Sequence, residues 1–241
     1  SILAKKGIFV RYWHRNHAAI NEMQSSRKHY LLNDIKFNEK ISFFPEIDPA
    51  VNKANVIVLA VPSQHTREVI SKAKKHIDPS AIIINIAKGI ENETLKIMSE
   101  VIIEVNGSIS NYVTLSGPSH AEEVVSGMPT AVVAASKNIE TSKIVQDLFS
   151  TNKFRVYTNE DLIGVEISGS AKNVIAIAAG FCDGFGYGDN TKSALMTRGI
   201  KEVARLGLKS GAKFETFFGL AGIGDIIVTC GSTHSRNRKL G

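Results

Sequence analysis

Two observations predict an α/β fold for this chain of 241 residues: a doubly wound parallel sheet followed by an all-α part. Up to Thr158, short apolar runs alternate with segments of helical periodicity, which is the pattern of consecutive β-α-β units. Beyond Thr158 the strand-like runs stop and helical segments follow one another directly. We therefore place a domain boundary near Asn159–Asp161, which gives a sheet domain over 1–160 and a helical domain over 161–241.

Apolar runs and turn residues define the elements of the sheet domain. SILAKK reads as the end of a helix that Gly7 stops. Asp48 is expected to cap a short helix with Pro49 in its first turn, and Ser63 a longer one that runs to His76. The run Asn55–Val61 is continuously apolar, as in a strand buried on both faces. The predicted strands are Ile8–Trp13, Ile41–Phe44, Asn55–Val61, Ala81–Ile86 and Tyr112–Ser116, with two more from Thr130 and Phe154; the other predicted helices are 14–23, Thr94–Val105, one from Pro118–Ser119 and Thr141–Phe149.

The helical domain opens with a long helix centred on Lys172, and a second helix is predicted over Thr191–Lys209. Helical spacing places Lys172 in the middle of a face of small, mostly apolar residues, among them Gly169 and Ala176. Because a glycine costs a helix about 1 kcal/mol relative to alanine, Gly169 and Gly180 indicate that something packs close to this helix. A lone helical lysine can also extend to water without any function.

Composition narrows the classes of function. The chain is 43% hydrophobic and 22% charged, and its net charge of +6 is concentrated in the first forty residues. A basic end can bind nucleic acid or an anionic small molecule; since aromatic residues do not interleave with the basic ones, we favour a phosphorylated small molecule. The two cysteines form no metal-type spacing or disulfide framework, which fits the cytoplasm. No metal motif and no apolar run of membrane-spanning length is expected.

Polar, turn-forming residues follow three predicted strands of the sheet domain. They are Val61-Pro62-Ser63, Ala87-Lys88-Gly89 and the stretch from Ser116 through Gly117 and Ser119 to His120. In open α/β sheets ligands bind beyond the carboxyl ends of the strands, and a glycine beside a helix start lets backbone N–H groups approach an anion. Such loops are also common for structural reasons, but three at one edge predict a binding cleft, with Lys88 pointing into it.

Two further groups of basic residues suit phosphates. Arg15 lies just past the second strand of a dinucleotide fold, where an arginine suits the 2′-phosphate of NADPH better than the ribose hydroxyl of NADH. The last segment combines Asp225, after a glycine turn, with a loop of hydroxyls and arginines at Ser235-Arg236-Asn237, which is the chemistry a phosphate ester requires. A solvated surface loop is the alternative for both groups.

Several motifs, taken together and in order, resemble one family over essentially the whole chain. They are AKGIE, LSGPSHAEEV, RVYTNEDLIGVEISGSAKNVIAIAAG, TRGIKEVARLG, GLAGIGDIIVTC and HSRNRKLG. This sequence resembles the bacterial-type NAD(P)-dependent sn-glycerol-3-phosphate dehydrogenases. The resemblance implies a Rossmann-like dinucleotide-binding domain and an enzyme that interconverts dihydroxyacetone phosphate and glycerol 3-phosphate for phospholipid synthesis. It also implies NADPH or NADH as the cofactor, a homodimer and a cytoplasmic location.

The resemblance also implies roles for individual residues. The general acid/base of the family falls on Lys172, and a lysine that contacts substrate and cofactor falls on Lys88. Both join Asp225 as the catalytic candidates. Substrate contacts fall on Lys88, Gly117, Ser119, Lys172, Asp225, Ser235, Arg236 and Asn237, and cofactor contacts on Arg15, Lys88, Ala121 and Arg236.

The sequence departs from the family at both ends. No GxGxxG turn precedes Ile8, and the helical sequence that the family carries after its SRNR loop is missing. We therefore expect a fragment, and a non-catalytic remnant that still binds a nucleotide or phosphate is the alternative function. Two more functions compete with the dehydrogenase: a β-hydroxyacid dehydrogenase, which also uses a helical lysine followed by asparagine, and a nucleic-acid binder.

Overall fold

The computed structural model describes residues 2–29, 32–107 and 111–241, with only the backbone at 32–34. The strands are β1 (Val10–Trp13), β2 (Lys28–His29), β3 (Leu32–Lys36), β4 (Ile41–Phe44), β5 (Val56–Leu59), β6 (Ile82–Asn85), β7 (Tyr112–Ser116), β8 (Thr130–Ala135) and β9 (Phe154–Asn159). The helices are α1 (Ile2–Lys5), α2 (His17–Ser26), α3 (Ile47–Val51), α4 (Thr66–Ala73), α5 (Met98–Asn106), α6 (Ala121–Val125), α7 (Ile139–Phe149), α8 (Leu162–Gly184), α9 (Asp189–Lys209), α10 (Asp225–Gly231) and α11 (Arg236–Leu240). Helical turns at 63–65, 74–76, 214–218 and 220–224 complete these elements.

The main sheet has five strands in the order β5-β6-β7-β8-β9, flanked by helices. Strands β5, β6 and β7 are parallel, as the continuous apolar runs predict. Strand β8 runs antiparallel to β7, and β9 is parallel to β8. The reason lies in the connection between β7 and β8, which contains only the five-residue α6, too short a helix for a full crossover. The predicted α/β class is thus confirmed, with two strands reversed.

Two smaller sheets lie at the N-terminal side. Strand β1 pairs in parallel with β4, and β2 pairs with β3 as an antiparallel ribbon. The β1–β4 pair packs on α2, where Ile20 and Met23 are fully buried. Gly7 ends α1 with a φ of 89°, a left-handed conformation that glycine adopts without strain, as the sequence predicts.

Some predicted details are wrong. Glu46, and not Asp48, is the N-cap of α3, so that Asp48 lies inside the helix. Ser63 begins a short 3-10 turn rather than capping α4, whose N-cap is His65. Strand β5 is an edge of the five-stranded sheet, and Val58 on one of its faces is 36% exposed, so this strand is not buried on both faces.

Helix α8 is the central element of the helical part. Its N-cap is Asp161, whose carboxylate accepts a hydrogen bond from the backbone of Gly164 at 2.9 Å. Among the described residues, α8 alone is long and apolar enough to cross a membrane, contrary to the expectation that no segment approaches this limit. In its most apolar window, however, 61% of the helix is buried inside the protein, as in a core helix.

The two halves of the chain share one core. Leu162 and Val165 of α8 are buried in the same apolar cluster as Ile83 of β6 and Tyr112 of β7. A second cluster joins α8 to α9 and α10, and it includes the fully buried ring of Phe217. Since α8 packs on the sheet with one side and on helices with the other, residues along it can reach both halves of the molecule.

Candidate active site

Lys172 is buried in the middle of α8. It is 8% exposed, and the small residues of the same face, Ser168, Ala176 and Ala179, are fully buried. The side chain therefore does not extend to water, as a helical lysine without a function could. A buried ammonium requires polar partners, and the structure supplies them from α10.

Asp225 lies at the start of α10, is 1% exposed, and bridges two lysines. Its Oδ1 atom is 2.5 Å from the Nζ atom of Lys172, and its Oδ2 atom accepts a hydrogen bond from Lys88. The ammonium of Lys172 also donates to the hydroxyl of Thr229 at 2.8 Å, and that hydroxyl donates to the backbone carbonyl of Asp225 at 2.6 Å. One carboxylate thus holds two ammonium groups side by side.

The electrostatics of this cluster change the proton affinity of Lys172. Burial lowers its pKa and the neighbouring charge of Lys88 lowers it further, while Asp225 acts in the opposite direction. The pKa of Lys172 falls from 10.5 to about 8 as a result. A lysine with such a pKa can both give and take a proton near neutral pH. Desolvation and a second cation are thus the two causes of the lowered pKa of Lys172.

Lys88 reaches the cluster from the loop after β6. Its Nζ atom donates to the backbone carbonyl of Gly117 at 3.1 Å and to Asp225, and its side chain is 22% exposed. One of the three N–H donors of the ammonium is therefore left for a ligand. A Cβ atom on Gly169 would lie 3.1 Å from the hydroxyl of Ser116 and 3.4 Å from Cγ of Lys88. The glycine in α8 therefore gives room chiefly to the hydroxyl of Ser116, while the contact with Lys88 would be an ordinary van der Waals one. The close packing that the sequence predicts at this glycine is thus with strand β7.

The loop after β7 brings three more predicted residues to this edge of the sheet. Gly117 has a φ of 147°, and a Cβ atom there would come within 3.0 Å of the backbone of Val132. Ser119 is exposed and donates to the carbonyl of Gly117 at 3.1 Å. Ala121 begins α6 and is also exposed. Lys88 and Gly117 contact each other directly, and Ser119 and Ala121 follow Gly117 in the same loop.

Ser235, the N-cap of α11, and the first residues of that helix supply the hydroxyl and arginine groups. Residues 235–238 are called the α11 loop. Ser235 is 3% exposed and accepts a hydrogen bond from the backbone of Arg238 at 3.2 Å. The amide of Asn237 donates to the side-chain oxygen of Asn173 at 2.6 Å. Asn173 follows Lys172 in sequence, so this hydrogen bond ties the loop to the helix of the buried lysine. Arg236 is exposed.

Arg15 lies apart from the lysine pair, in the loop after β1. It is exposed, and its guanidinium is 3.1 Å from Nε2 of His65, which ends the turn after β5. Both residues follow the carboxyl ends of parallel strands, although β1 and β5 belong to different sheets. Arg15 is thus an exposed cation in a loop that follows a strand, where it could bind an anionic group of a ligand.

Three polar residues near the site were missed by the sequence analysis. Thr229 binds the ammonium of Lys172, and its spacing of one helical turn from Asp225 is the signal that could have found it. Asn173 binds Asn237, but nothing in the sequence pairs them. Glu166 is 5% exposed and accepts hydrogen bonds from Ser99, Tyr112 and Thr114.

The described residues contain no group of three or more metal-ligating side chains. Both cysteines are free: Cys182 is half-buried and Cys230 is buried beside the site, where burial raises its thiol pKa to about 11. The cleft brings together two ammonium groups, one carboxylate and a hydroxyl.

Comparison with known proteins assigns the whole chain. Residues 1–142 match the N-terminal region of NAD-dependent glycerol-3-phosphate dehydrogenase, and residues 161–241 match its C-terminal region. The chain belongs to this family. A glycerol-3-phosphate dehydrogenase [NAD(P)+] of Clostridium perfringens is 51% identical over 243 residues, and one of Clostridium acetobutylicum is 52% identical over 242 residues. Both alignments cover all of this chain and 72% of the relative.

A solved structure supports the assignment of the glycerol-3-phosphate dehydrogenase fold. The crystal structure of the enzyme from Coxiella burnetii superimposes with a TM-score of 0.94 at 38% identity. The match covers 98% of this chain and 73% of that protein. The Rossmann-like sheet followed by a helical part is therefore the fold of the family, and the expectation of the sequence is confirmed.

The residues present fit a dinucleotide at the cleft. Gly89 has a φ of 153°, and a Cβ atom on it would overlap the hydroxyl of Ser63, so the loop after β6 packs directly against the turn after β5. Arg15 is exposed in the loop after β1, and Lys88 is partly exposed in the loop after β6. Basic side chains in the loops that follow the strands suit an anionic cofactor.

Proposed function

We propose that this chain carries the hydride-transfer site of an NAD(P)-dependent glycerol-3-phosphate dehydrogenase, which interconverts dihydroxyacetone phosphate and sn-glycerol 3-phosphate for phospholipid synthesis. The observation that carries the proposal is the buried pair of Lys172 and Lys88 on one carboxylate, with the pKa of Lys172 lowered to about 8. Family membership supports the same conclusion, since the relatives of 51% and 52% identity carry this activity in their names.

The reaction needs a proton where the ketone oxygen becomes a hydroxyl. When bound, the reduced nicotinamide supplies the hydride that adds to the carbonyl carbon. Lys172 then donates a proton to the oxygen, where negative charge develops, and the open side of Lys88 stabilises that charge. In the reverse direction, neutral Lys172 takes the hydroxyl proton. Asp225 keeps both ammonium groups in place while the proton moves.

The phosphate of the substrate is assigned to the α11 loop, residues 235–238. Arg236 and Asn237 offer donors that match a phosphate, and Ser235 fixes the start of the helix through its cap. Gly117 and Ser119 close the opposite side, next to Lys88. In the substrate, the phosphate lies close to the reacting carbon, so the groups that bind it must lie close to Lys172. The hydrogen bond between Asn237 and Asn173, the residue after Lys172, keeps them there.

The cofactor is NADPH or NADH, and we assign its contacts to Arg15, Lys88, Ala121 and Arg236. Arg15 suits a 2′-phosphate, so we propose a preference for NADPH. Ala121 leaves the start of α6 without a bulky side chain beside the cleft. We further propose that residues 1–160 form the cofactor domain and that residues 161–241 form the substrate domain, with Lys172 and Lys88 meeting at their boundary.

Assembly and location complete the proposal. We propose a homodimer in the cytoplasm. Exposed apolar side chains on α8 and in the turn that follows it, including Phe181, Phe185 and Tyr187, offer a surface for a second copy. Two free thiols suit a reducing compartment. Light scattering that gives one subunit mass at micromolar concentration would contradict the dimer.

The function is tested in protein expressed from its complete reading frame. We expect it to oxidise NADPH when given dihydroxyacetone phosphate, and Lys172→Ala to abolish turnover while NADPH still binds. Lys201→Ala, on the exposed face of α9, is the matched control and should keep normal turnover. Near-normal turnover by Lys172→Ala would contradict the assigned role.

The competing functions make different predictions in the same assays. A non-catalytic remnant binds NADPH or phosphate and never oxidises the cofactor. A β-hydroxyacid dehydrogenase, which would also use a lysine followed by asparagine, oxidises NADPH with an acid substrate and not with dihydroxyacetone phosphate. A salt-sensitive gel shift with duplex DNA would revive the nucleic-acid interpretation suggested by the net charge of +6.

A further inference from the structure

The loop assigned to the substrate phosphate contains two arginines in different surroundings. The Arg238 side chain donates to the Oδ2 atom of Asp183 at 2.6 Å and to the carbonyl of Gly231 at 3.2 Å. Arg236 is exposed and, within the described part of the chain, its side chain makes no hydrogen bond or ion pair. A guanidinium that already satisfies a carboxylate and a carbonyl is a poor ligand for phosphate, whereas one without partners is a good one.

Asp183 lies near the end of α8, eleven residues after Lys172, and both its oxygens are paired. Its Oδ1 atom is 3.1 Å from Nζ of Lys192 in α9, and its Oδ2 atom holds Arg238. The side chains of Asp183 and Arg238 are only 28% and 22% exposed, so the pair is partly shielded from solvent. Arg238 and Lys192 together hold the pKa of Asp183 below its ordinary value.

A second observation shows that this contact seats the whole loop. Gly180 of α8 lies directly under the backbone of α11, so a Cβ atom there would overlap the carbonyl oxygen of Arg238. The contact between Asn237 and Asn173 is formed nearer to Lys172 along the same interface. The short α11 is thus fixed on α8 by close backbone packing, an amide pair and an ion pair.

We propose that Asp183 is a positioning residue for the substrate-phosphate loop, acting through Arg238, and that Arg236 is left as the arginine that binds the phosphate. This rests on the proposed function, since it names how the phosphate end of the same site is held. Loss of the Asp183 carboxylate frees Arg238 and loosens the loop, while the lysine pair on Asp225 keeps its contacts.

The experiment compares Asp183→Asn with the wild type in steady-state assays of NADPH oxidation. A charge-assisted hydrogen bond is lost, so we expect KM for dihydroxyacetone phosphate to rise about 10-fold. The values of kcat and of KM for NADPH should stay within about threefold of the wild type. The substitution changes neither the lysine pair on Asp225 nor Arg15, the proposed cofactor contact. Asp189→Asn is the matched control, since Asp189 shares Lys192 but is 98% exposed.

Two further variants separate positioning from a merely structural role. Arg238→Lys keeps the positive charge but loses the planar guanidinium that donates to Asp183 and Gly231 at once. KM for dihydroxyacetone phosphate should therefore rise less than in Asp183→Asn. The double variant Asp183→Asn with Arg238→Lys should be no worse than Asp183→Asn alone, since both act through one contact. Equal rises in both KM values, or a fall in kcat alone, would overturn the proposal.

Binding of inorganic phosphate, measured by calorimetry, tests the loop without turnover. Weaker phosphate binding by Asp183→Asn, with Asp189→Asn unchanged, supports the proposal even if the wild type fails to reduce dihydroxyacetone phosphate. A wild type that turns over and binds phosphate no better than Asp183→Asn contradicts the positioning role and leaves the function standing. A wild type that neither turns over nor binds phosphate overturns both.

Discussion

Two buried carboxylates form separate clusters along helix α8, and they have different partners. Asp225, 1% exposed, meets the ammonium groups of Lys172 and Lys88. Glu166, 5% exposed, belongs to α8 itself and accepts only neutral donors: the hydroxyls of Tyr112 and Thr114 and both groups of Ser99. The cluster around Asp225 contains groups that can exchange a proton with a substrate. The cluster around Glu166 has a structural role, because it joins neighbouring elements by hydrogen bonds.

The difference follows from where each carboxylate lies. Asp225 faces the cleft, where Lys88 stays partly open to a ligand. Glu166 is surrounded by the shared core and accepts the backbone N–H of Ser99 in the first turn of α5, a position that favours negative charge. Burial nevertheless raises the pKa of Glu166, since no cation is paired with it in the described residues. Glu166 therefore joins α5, β7 and α8 and fixes the helix that carries Lys172.

Among changes to the two carboxylates, Asp225→Asn has the largest expected effect. It leaves two neighbouring ammonium groups without their counter-charge, so Lys172 loses its position and its pKa falls further. We expect turnover to fall by on the order of 10³-fold, which corresponds to the roughly 4 kcal/mol typical of breaking a buried ion pair. Steady-state kinetics at saturating NADPH measure it, with the surface variant Asp189→Asn as control. Turnover within tenfold of the wild type would show that Asp225 does not organise the lysines.

The second prediction concerns stability and uses Glu166. Glu166→Leu leaves the hydroxyl of Tyr112 and both donors of Ser99 without an acceptor, while Thr114 can still donate to Tyr112. We therefore expect a loss of about 3 kcal/mol in the free energy of unfolding. Glu166→Gln should lose about 1 kcal/mol, because the two hydroxyls can turn to accept from the amide.

Urea titration measures both losses. The control is Glu202→Leu on the exposed face of α9, which should change stability by less than about 0.5 kcal/mol. Activity per folded molecule should stay near normal in Glu166→Gln. If Glu166→Gln lost activity without losing stability, Glu166 would have a catalytic role like that of Asp225, and the two clusters would not differ in this way.

The third prediction is that the two clusters respond to pH with opposite signs. The folded-state pKa of Lys172 is lowered, so its contribution to stability is present above its unfolded value of 10.5 and is lost as pH falls through about 8. The difference between these two pKa values corresponds to a change in the free energy of unfolding on the order of 3 kcal/mol at most. The folded-state pKa of Glu166 is raised, so its contribution is present below 4.5 and is lost as pH rises through the folded value.

Urea unfolding of matched pairs separates these contributions. The difference in unfolding free energy between wild type and Lys172→Met should grow from about pH 8 to about pH 10. The difference between wild type and Glu166→Gln should shrink as pH rises above about 4.5. A flat difference for Lys172→Met over this range would mean that the buried lysine titrates as it does in water.

The same contrast explains how much the sequence could predict. Lys172, Lys88 and Asp225 stand out because charged residues in small-residue or glycine-rich surroundings are unusual, and the structure does bring their side chains together. Glu166 was missed, because its partners are separated from it by 52 or more positions and neutral hydroxyls carry no pattern. Helices α7 and α9 end at the predicted residues, Phe149 and Lys209, and begin two residues earlier than predicted. Helix α5 begins at Met98, four residues after the predicted Thr94, and the caps of α3 and α4 depend on local backbone geometry.

The direction of strands β8 and β9, which run opposite to β5–β7, could not be predicted from the sequence either. A buried apolar run has the same composition in either direction, so Thr130–Ala135 predicts a strand without its orientation. The pairing of Asp183 with Arg238 was also invisible, because two ordinary polar residues 55 positions apart carry no pattern. Sequence patterns thus predict elements and unusual charges, while direction and pairing are decided by packing.

The smallest expected effects come from one threonine in each cluster, each changed to the similarly shaped valine. Thr229→Val removes the hydroxyl that accepts from Lys172, so we expect a loss of turnover of about 10-fold. The pKa of Lys172 should fall further, because its charged form loses an acceptor. In the reduction of dihydroxyacetone phosphate, where Lys172 must be protonated, the high-pH limb of the rate profile should then move to lower pH.

Thr114→Val removes one donor to Glu166 and should cost about 1 kcal/mol in unfolding free energy, with turnover per folded molecule and the pH profile unchanged. Each variant is thus the control for the other, since both delete one hydroxyl bound to a buried charged or acidic group. If Thr114→Val shifted the pH profile as Thr229→Val does, the two sides of α8 would be coupled. The division between a proton-transferring and a structural carboxylate would then be wrong, because a change at the structural side would reach Lys172 through the helix.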